Sequence, residues 1–220
     1  MQMNRLALFD CDGTLVDSQH NICVAVDETF QQHRLPIPDH HQVRRGVGLH
    51  VQDAMARLAP VDSDSGLIDR LTQSYKENFT RLTQLEDFRC GHLYDGILDL
   101  LDGLETDGWL LGIATGNSDR GLTRILEYHG LTNRFMTLQT ADRHPSKPHP
   151  SMALTALSDA GADAAASIMI GDTSYDMGMG KAAGMIAIGV SWGYHSADDL
   201  FAAGADHIVN NAIEIKNIYA

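Results

Sequence analysis

The sequence predicts an α/β fold, a doubly wound parallel sheet with an all-helical domain inserted after its first strand. Three observations carry that prediction. An apolar run at 6–9 delivers Asp10 and Asp12 into a turn at Gly13, where a strand would end. Residues 39–85 read as helices broken at Gly46-Val47-Gly48 and again over 60–66, with no good strand among them. From Tyr94 onward, short apolar runs alternate with helical patterns, the sequence form of a parallel sheet covered on both faces.

The elements follow in order. After the opening strand, Ser18 can cap a helix running to about Gln32, with Ile22, Val26 and Phe30 at helical spacing on one side. Pro36 and Pro38 stop it. A helix over about 96–106 leads to a strand at 109–115; another over 119–128, closed by Gly130, leads to a strand near 135–139. A helix over 151–160 precedes a strand at 167–172. One more, ending near Ala183-Gly184, precedes 185–190, and 206–209 makes a short last strand. Right-handed crossovers put strand one near the middle of the sheet. The expected division is an α/β core of 1–16 and 87–220 and a helical insert of 17–86.

Composition bounds what such a fold can do. A chain of 220 residues with 44% hydrophobic content can bury a substantial core. A formal net charge of −13 argues against nucleic acid or an anionic membrane as partner, since both reward Lys and Arg. An anionic substrate would need local attraction from a bound cation and a few placed donors. The 3 cysteines, Cys11, Cys23 and Cys90, show no paired spacing, so neither a disulfide framework nor a zinc site is expected, and a cytoplasmic setting fits. The N-terminal apolar run is too short for a signal segment or a membrane span.

The chemistry gathers where strands end. Asp10 and Asp12 follow the first strand, Thr115-Gly116-Asn117 the second, and Gly171-Asp172-Thr173 the fourth, and in a parallel sheet all fall on one edge. Lys147, in a loop held extended by Pro145, Pro148 and Pro150, can point over that edge. Each group has a plainer reading: a polar turn, a helix N-terminus capped by Asn117 or Ser118, a solvated lysine, and an acidic first turn at Asp172 and Asp176. Their convergence argues for function. Several carboxylates at one point repel unless a divalent cation sits among them, and an oxygen-only set suits Mg²⁺. A carboxylate can then act as nucleophile and form an aspartyl phosphate. Thr115 and the amides after it can hold phosphate oxygens, while Lys147 neutralises the transferring group.

In order, Asp10-Cys11-Asp12-Gly13-Thr14, Thr115, Lys147 and Gly171-Asp172-Thr173-Ser174-Tyr175-Asp176 resemble the four motifs of haloacid dehalogenase superfamily phosphatases, in the subclass with a helical cap after the first strand. The resemblance covers essentially the whole chain. It implies Asp10 as nucleophile and Asp12 as general acid, then base. It implies Mg²⁺ held by Asp10, the Asp12 carbonyl and Asp172, with Asp176 in support and able to pair with Lys147. Thr115, Gly116, Asn117 and Lys147 would bind the phosphoryl group. The insert would be a cap, and its loop Arg44-Arg45-Gly46-Val47-Gly48-Leu49-His50 resembles the turn that hangs over the active site in related proteins. Arg45 or His50 would then reach a carboxylate or hydroxyl of the substrate; the arginines read equally well as surface charges.

Among relatives the pattern most resembles phosphoglycolate phosphatases, through Leu15-Val16-Asp17-Ser18 and Ser146-Lys147-Pro148-His149-Pro150. The expected partner is a small phosphorylated metabolite, and the expected state a monomer or homodimer. A β-phosphoglucomutase-like phosphomutase would carry a cap His where Ile22 stands, with His20 close by. A pyrophosphatase or nucleotidase of the same fold is open. A phospho-acceptor signalling module, the reading from another class, needs no cap, and Asp12 beside the nucleophile favours turnover over a lasting phosphoryl mark.

Overall fold

The computed structural model describes residues 4–218. Strand β1 (Leu6–Phe9) is buried along its whole length. Its side chains alternate between two apolar clusters: Ala7 and Phe9 join one layer, Leu6 and Leu8 the other. A strand covered on both faces must be apolar throughout, which is why the run at 6–9 lacks alternation with polar residues.

The chain then forms β2 (Val16–Asp17) and four helices, α1 (Gln19–Gln32), α2 (His40–Arg44), α3 (Val51–Leu58) and α4 (Ser65–Leu82). These helices bury their own cluster, which includes Cys23, Val26, Phe30, Val43, Met55 and Leu71. Asp39 and Asp64 start α2 and α4 by accepting from the backbone N–H of His41 and Leu67, at 2.6 and 2.7 Å. The chain returns through β3 (His92–Leu93), antiparallel to β2, so the two strands that leave and re-enter the core are tied to each other.

The remainder alternates as expected: α5 (Ile97–Thr106), β4 (Leu110–Ala114), α6 (Asp119–Tyr128), β5 (Thr137–Gln139), α7 (Ser151–Ala160), a 3₁₀ turn (Ala164–Ala166), β6 (Ile168–Gly171), α8 (Ser174–Ala182), β7 (Ile186–Val190), α9 (Ala197–Ala202), β8 (His207–Val209) and α10 (Ala212–Ile218). The six-stranded sheet runs β5-β4-β1-β6-β7-β8, and every pairing in it is parallel. Successive strands move outward from β1 first through β4 to β5, then from β6 to β8. The order reverses beside β1, where open α/β sheets hold their ligands. Buried side chains of α5, α6 and α10 cover one face, those of α7 and α8 the other.

Two local expectations differ. Ser18 stands at the N-cap of α1 but makes no capping bond, because its hydroxyl donates to Asp12 Oδ1 at 2.6 Å. The short elements β2, β3 and α9 and the terminal α10 were not expected; two-residue strands and helices of 6 or 7 residues are too short to display a clear period. Among the described residues, no helix is long and apolar enough to cross a membrane.

Candidate active site

Strand β1 ends by placing Asp10 at the sheet edge, its backbone N–H donating to the Ile170 carbonyl of β6 at 2.9 Å. The neighbouring strand β6 ends at Gly171 and supplies Asp172. Helix α8 starts at once with a reciprocal cap: the Thr173 backbone N–H and hydroxyl donate to Asp176 Oδ2 at 3.0 and 2.7 Å. The plainer reading of Asp176 as a helix-start residue therefore holds, and only one of its oxygens is used for it. The other, Oδ1, accepts from Lys147 Nζ at 2.7 Å, and the same ammonium donates to Asp10 Oδ1 at 2.8 Å.

All four charged groups are out of water: Asp10, Asp172 and Asp176 are fully buried and Lys147 is 1% exposed. Oxygens of the three carboxylates lie within 4.8 Å of one another. Burial pushes the Asp10 carboxyl well above the usual range, against the pull of Lys147, and Asp176 and Asp172 push it further. Burial followed by Asp176 raises Asp172 to about 7. Lys147 behaves oppositely, since the lowering effect of burial is overcome by Asp10 and Asp176 and the ammonium is held charged. Asp10 Oδ2 is buried with no hydrogen-bond partner. Three carboxyl groups facing one ammonium, with an unpartnered oxygen among them, fit a hard divalent cation that takes oxygen ligands.

Asp12 is set apart from this cluster. Its Oδ1 accepts from Ser18 Oγ at 2.6 Å and its Oδ2 from Asn117 Nδ2 at 3.4 Å. Burial raises its carboxyl despite both hydrogen bonds. The expected contact of Asp12 with the metal is through its carbonyl, and its carboxylate is accordingly not one of the clustered three, which are Asp10, Asp172 and Asp176. Gly13 makes the turn possible: its φ is +94°, and a Cβ there would fall 2.3 Å from Asp172 Oδ2.

At the end of β4, Thr115 is 1% exposed, and its Oγ1 accepts from the Asn117 N–H at 3.1 Å. Ser118 caps α6 by accepting from Gly121 N–H at 3.1 Å, so this segment is a helix start as well as an edge of the site. Gly116 lies under the helical insert: a Cβ there would stand 2.6 Å from the carbonyls of both Gly48 and Leu49. The insert thus sits closed on the core. Its loop also reaches the Lys147 segment, with the His50 backbone N–H donating to Ser146 Oγ at 3.0 Å.

A cavity of about 350 Å³ lies between insert and core, with Asp12, Gly116 and Asn117 on its floor. Neither Arg45 nor His50 lines it. The Arg45 guanidinium instead pairs with Asp199 of α9 at 2.9 Å, which an unexpected helix on the core side makes available. Its carbonyl accepts from Tyr175 OH at 2.8 Å. The His50 Nε2 is buried without a hydrogen-bond partner, and burial lowers the imidazole pKa. His20 is exposed and borders a separate groove with Asn21, Arg44 and His92.

Sequence reasoning missed three partners of the carboxylates. Thr14 Oγ1 donates to Asp172 Oδ1 at 2.7 Å, the Tyr194 backbone N–H donates to Asp172 Oδ2 at 2.9 Å, and Ser18 holds Asp12. Thr14 and Ser18 flank the acidic turn, so their proximity was the available signal; the Tyr194 amide lies 22 residues from its partner, in the loop that follows β7, and its position after a strand was the signal there.

A family model described as "Haloacid dehalogenase-like hydrolase" matches residues 7–190. The chain is 35% identical to a Dickeya dadantii protein named "Probable phosphatase IndB", over 97% of this chain and 92% of that one. It is 30% identical to a phosphoglycolate phosphatase of Nitrosococcus oceani, covering 99% and 97% of the two chains. It is also 30% identical to the N-acetylmuramic acid 6-phosphate phosphatase of Pseudomonas aeruginosa, covering 97% and 94%. A haloacid dehalogenase-like family hydrolase from Streptococcus pneumoniae superposes with a TM-score of 0.85 at 24% identity over 100% of both chains. The chain is an enzyme and belongs to the haloacid dehalogenase-like hydrolase family.

Proposed function

We propose that the chain is a Mg²⁺-dependent phosphatase that hydrolyses a small phosphomonoester through an aspartyl phosphate on Asp10. The observation that carries this reading is the buried Asp10–Lys147–Asp176 array with Asp172 beside it and Asp10 Oδ2 unpartnered. Asp10, Asp172 and Asp176 would hold the cation directly or through water, with the Asp12 carbonyl as the expected fourth contributor. Bound there, Mg²⁺ supplies positive charge that keeps the carboxylates ionised and offsets charge on the phosphoryl oxygens.

This chain's own groups then divide the work. The Asp10 carboxylate attacks phosphorus, and the bond to the leaving oxygen breaks as Asp12 gives that oxygen a proton. The raised Asp12 carboxyl suits this acid role, because burial favours its protonated form. With the alcohol gone, Asp12 takes a proton from water, which attacks the aspartyl phosphate and restores Asp10. Lys147, held charged between two carboxylates, stays a fixed cation throughout. Thr115 and the amides of Gly116 and Asn117 hold phosphoryl oxygens at the start of α6. The insert over 17–86 acts as a cap that excludes water from the reacting group.

The names of the relatives support a phosphorylated metabolite as substrate, in a phosphoglycolate phosphatase-like enzyme. Three buried, unpaired cysteines fit a reducing cytoplasmic setting. The test is a panel of phosphomonoesters with and without Mg²⁺, for wild type and Asp10→Asn. Phosphate release that needs both the cation and Asp10 is expected; release that survives loss of either overturns the reading.

A further inference from the structure

The cavity under the cap is larger and more apolar than a two-carbon leaving group requires. Its volume of about 350 Å³ falls in the range that holds a drug-sized molecule. Above the polar floor of Asp12 and Asn117, its walls are Val47, Leu49, Met55, Tyr75 and Phe79, contributed by the cap loop, α3 and α4. None of these side chains can recognise a carboxylate or hydroxyl near the phosphate, apart from the Tyr75 phenol. Further out, Lys76, Arg120 and Arg124 also line the cavity; the first two are exposed and Arg124 is half-buried. None of the three has an ion pair among the described residues. The acid on that side, Asp142, already accepts from the Asp119 backbone N–H at 2.8 Å. Three cations without an ion pair line this one cavity in a chain of net charge −13, and they give an anion a local attraction against the unfavourable overall field.

The geometry points to a substrate whose leaving group has a bulky apolar body seated between α3 and α4 and a second anionic group at its far end, held by Arg124 with Arg120 and Lys76. This inference rests on the proposed phosphatase chemistry and names the substrate class for it. Apolar groups well seated in such a pocket are each worth roughly tenfold or more in specificity, and the cations add an end-group preference that a floor of Asp12 and Asn117 cannot supply.

Three alkyl esters separate these terms, because each leaves through an alkyl oxygen that Asp12 must protonate: phosphoglycolate, benzyl phosphate and 4-carboxybenzyl phosphate. With wild-type enzyme and Mg²⁺, kcat/KM for benzyl phosphate is expected to exceed that for phosphoglycolate by about tenfold or more, with 4-carboxybenzyl phosphate severalfold higher again. Arg124→Gln should bring the two benzyl esters together. Ala54→Leu, which fills the cavity from α3 with a good helix former, should shrink the preference of both over phosphoglycolate. Phosphoglycolate turned over as well as benzyl phosphate, or equal rates for the two benzyl esters in wild type, overturns the inference and leaves the Asp10 chemistry standing. Hydrolysis that persists in Asp10→Asn overturns the chemistry, and no turnover of any ester overturns both.

Discussion

Lys147 is the residue on which the buried charges depend. Its ammonium is the one cation among the clustered groups, and it bridges Asp10 and Asp176 at 2.8 and 2.7 Å with no exposure of its side chain. Removing one partner of a buried ion pair leaves the other charge uncompensated, at a cost of about 3–5 kcal/mol. Lys147→Ala is therefore expected to lower the unfolding free energy of the metal-free protein by about that amount, read from urea denaturation, and to abolish turnover. A variant as stable as wild type would show that the array is not held together by this cation. Thr14 acts one step further back, orienting Asp172 through a 2.7 Å hydrogen bond. Thr14→Val keeps the shape and removes the donor, so Mg²⁺ affinity should fall roughly 10- to 100-fold. Calorimetric titration measures this directly, and unchanged affinity would remove Asp172 from the metal.

At the scale of elements, the helical insert is fastened to the core at several points around its loop. The Arg45 guanidinium holds Asp199 of α9, and that hydrogen bond keeps the Asp199 carboxyl below its usual range. The Tyr175 hydroxyl of α8 donates to the Arg45 carbonyl and accepts from Arg57 Nη1, each at 2.8 Å. His195 Nε2 stands 3.3 Å from the same carbonyl, while its Nδ1 accepts from the Ser174 N–H. The residue expected to meet substrate is thus a fastening for the loop that carries it. The tightest approach is at Gly116, so Gly116→Ala must push the carbonyls of Gly48 and Leu49 away. That variant should lose kcat/KM by roughly tenfold or more while its melting temperature stays near wild type. Faster amide exchange over residues 46–50 would accompany it; faster exchange with unaltered kinetics would mean that closure of the insert is irrelevant to turnover.

The same scale shows what the sequence could reveal. Strands β1, β4, β6 and β7 were legible because each is a run of apolar residues covered on both faces, and α6 because Ser118 and Gly130 bracket it. Ser18 was misread as a cap since the same serine is competent for either job, and only the folded turn brings Asp12 within 2.6 Å of it. The clustered carboxylates were legible at Asp10 and Asp172, which directly follow strands β1 and β6. The direction in which Arg45 points depends on a helix too short to announce itself, so it was not.

For the whole molecule, the central strain is electrostatic: a chain of net charge −13 buries three of its carboxylates at one point. Without the cation, burial and then Asp176 push the Asp172 carboxyl from its ordinary 3.8 up to about 7, and burial pushes Asp10 up as well, so the folded state holds extra protons through that range. Stability linked to these groups falls as pH rises through the window. Mg²⁺ must displace these protons, so the gain in melting temperature on adding Mg²⁺ should be largest near about pH 8 and shrink as pH falls through 7. The difference between scans with and without Mg²⁺ removes the opposite contribution of His50, His129, His144 and His195, whose pKa values burial lowers and which lie outside the carboxylate cluster. A gain independent of pH would place the cation elsewhere.

The account stands or falls on whether Asp10 carries the phosphoryl group between substrate and water. Wild-type enzyme mixed with Mg²⁺ and a radiolabelled phosphomonoester, quenched in acid during turnover and digested, should yield one labelled peptide, the one holding Asp10, with no label in Asp10→Asn. Turnover with no label on that peptide, or with label on any other residue, would contradict it.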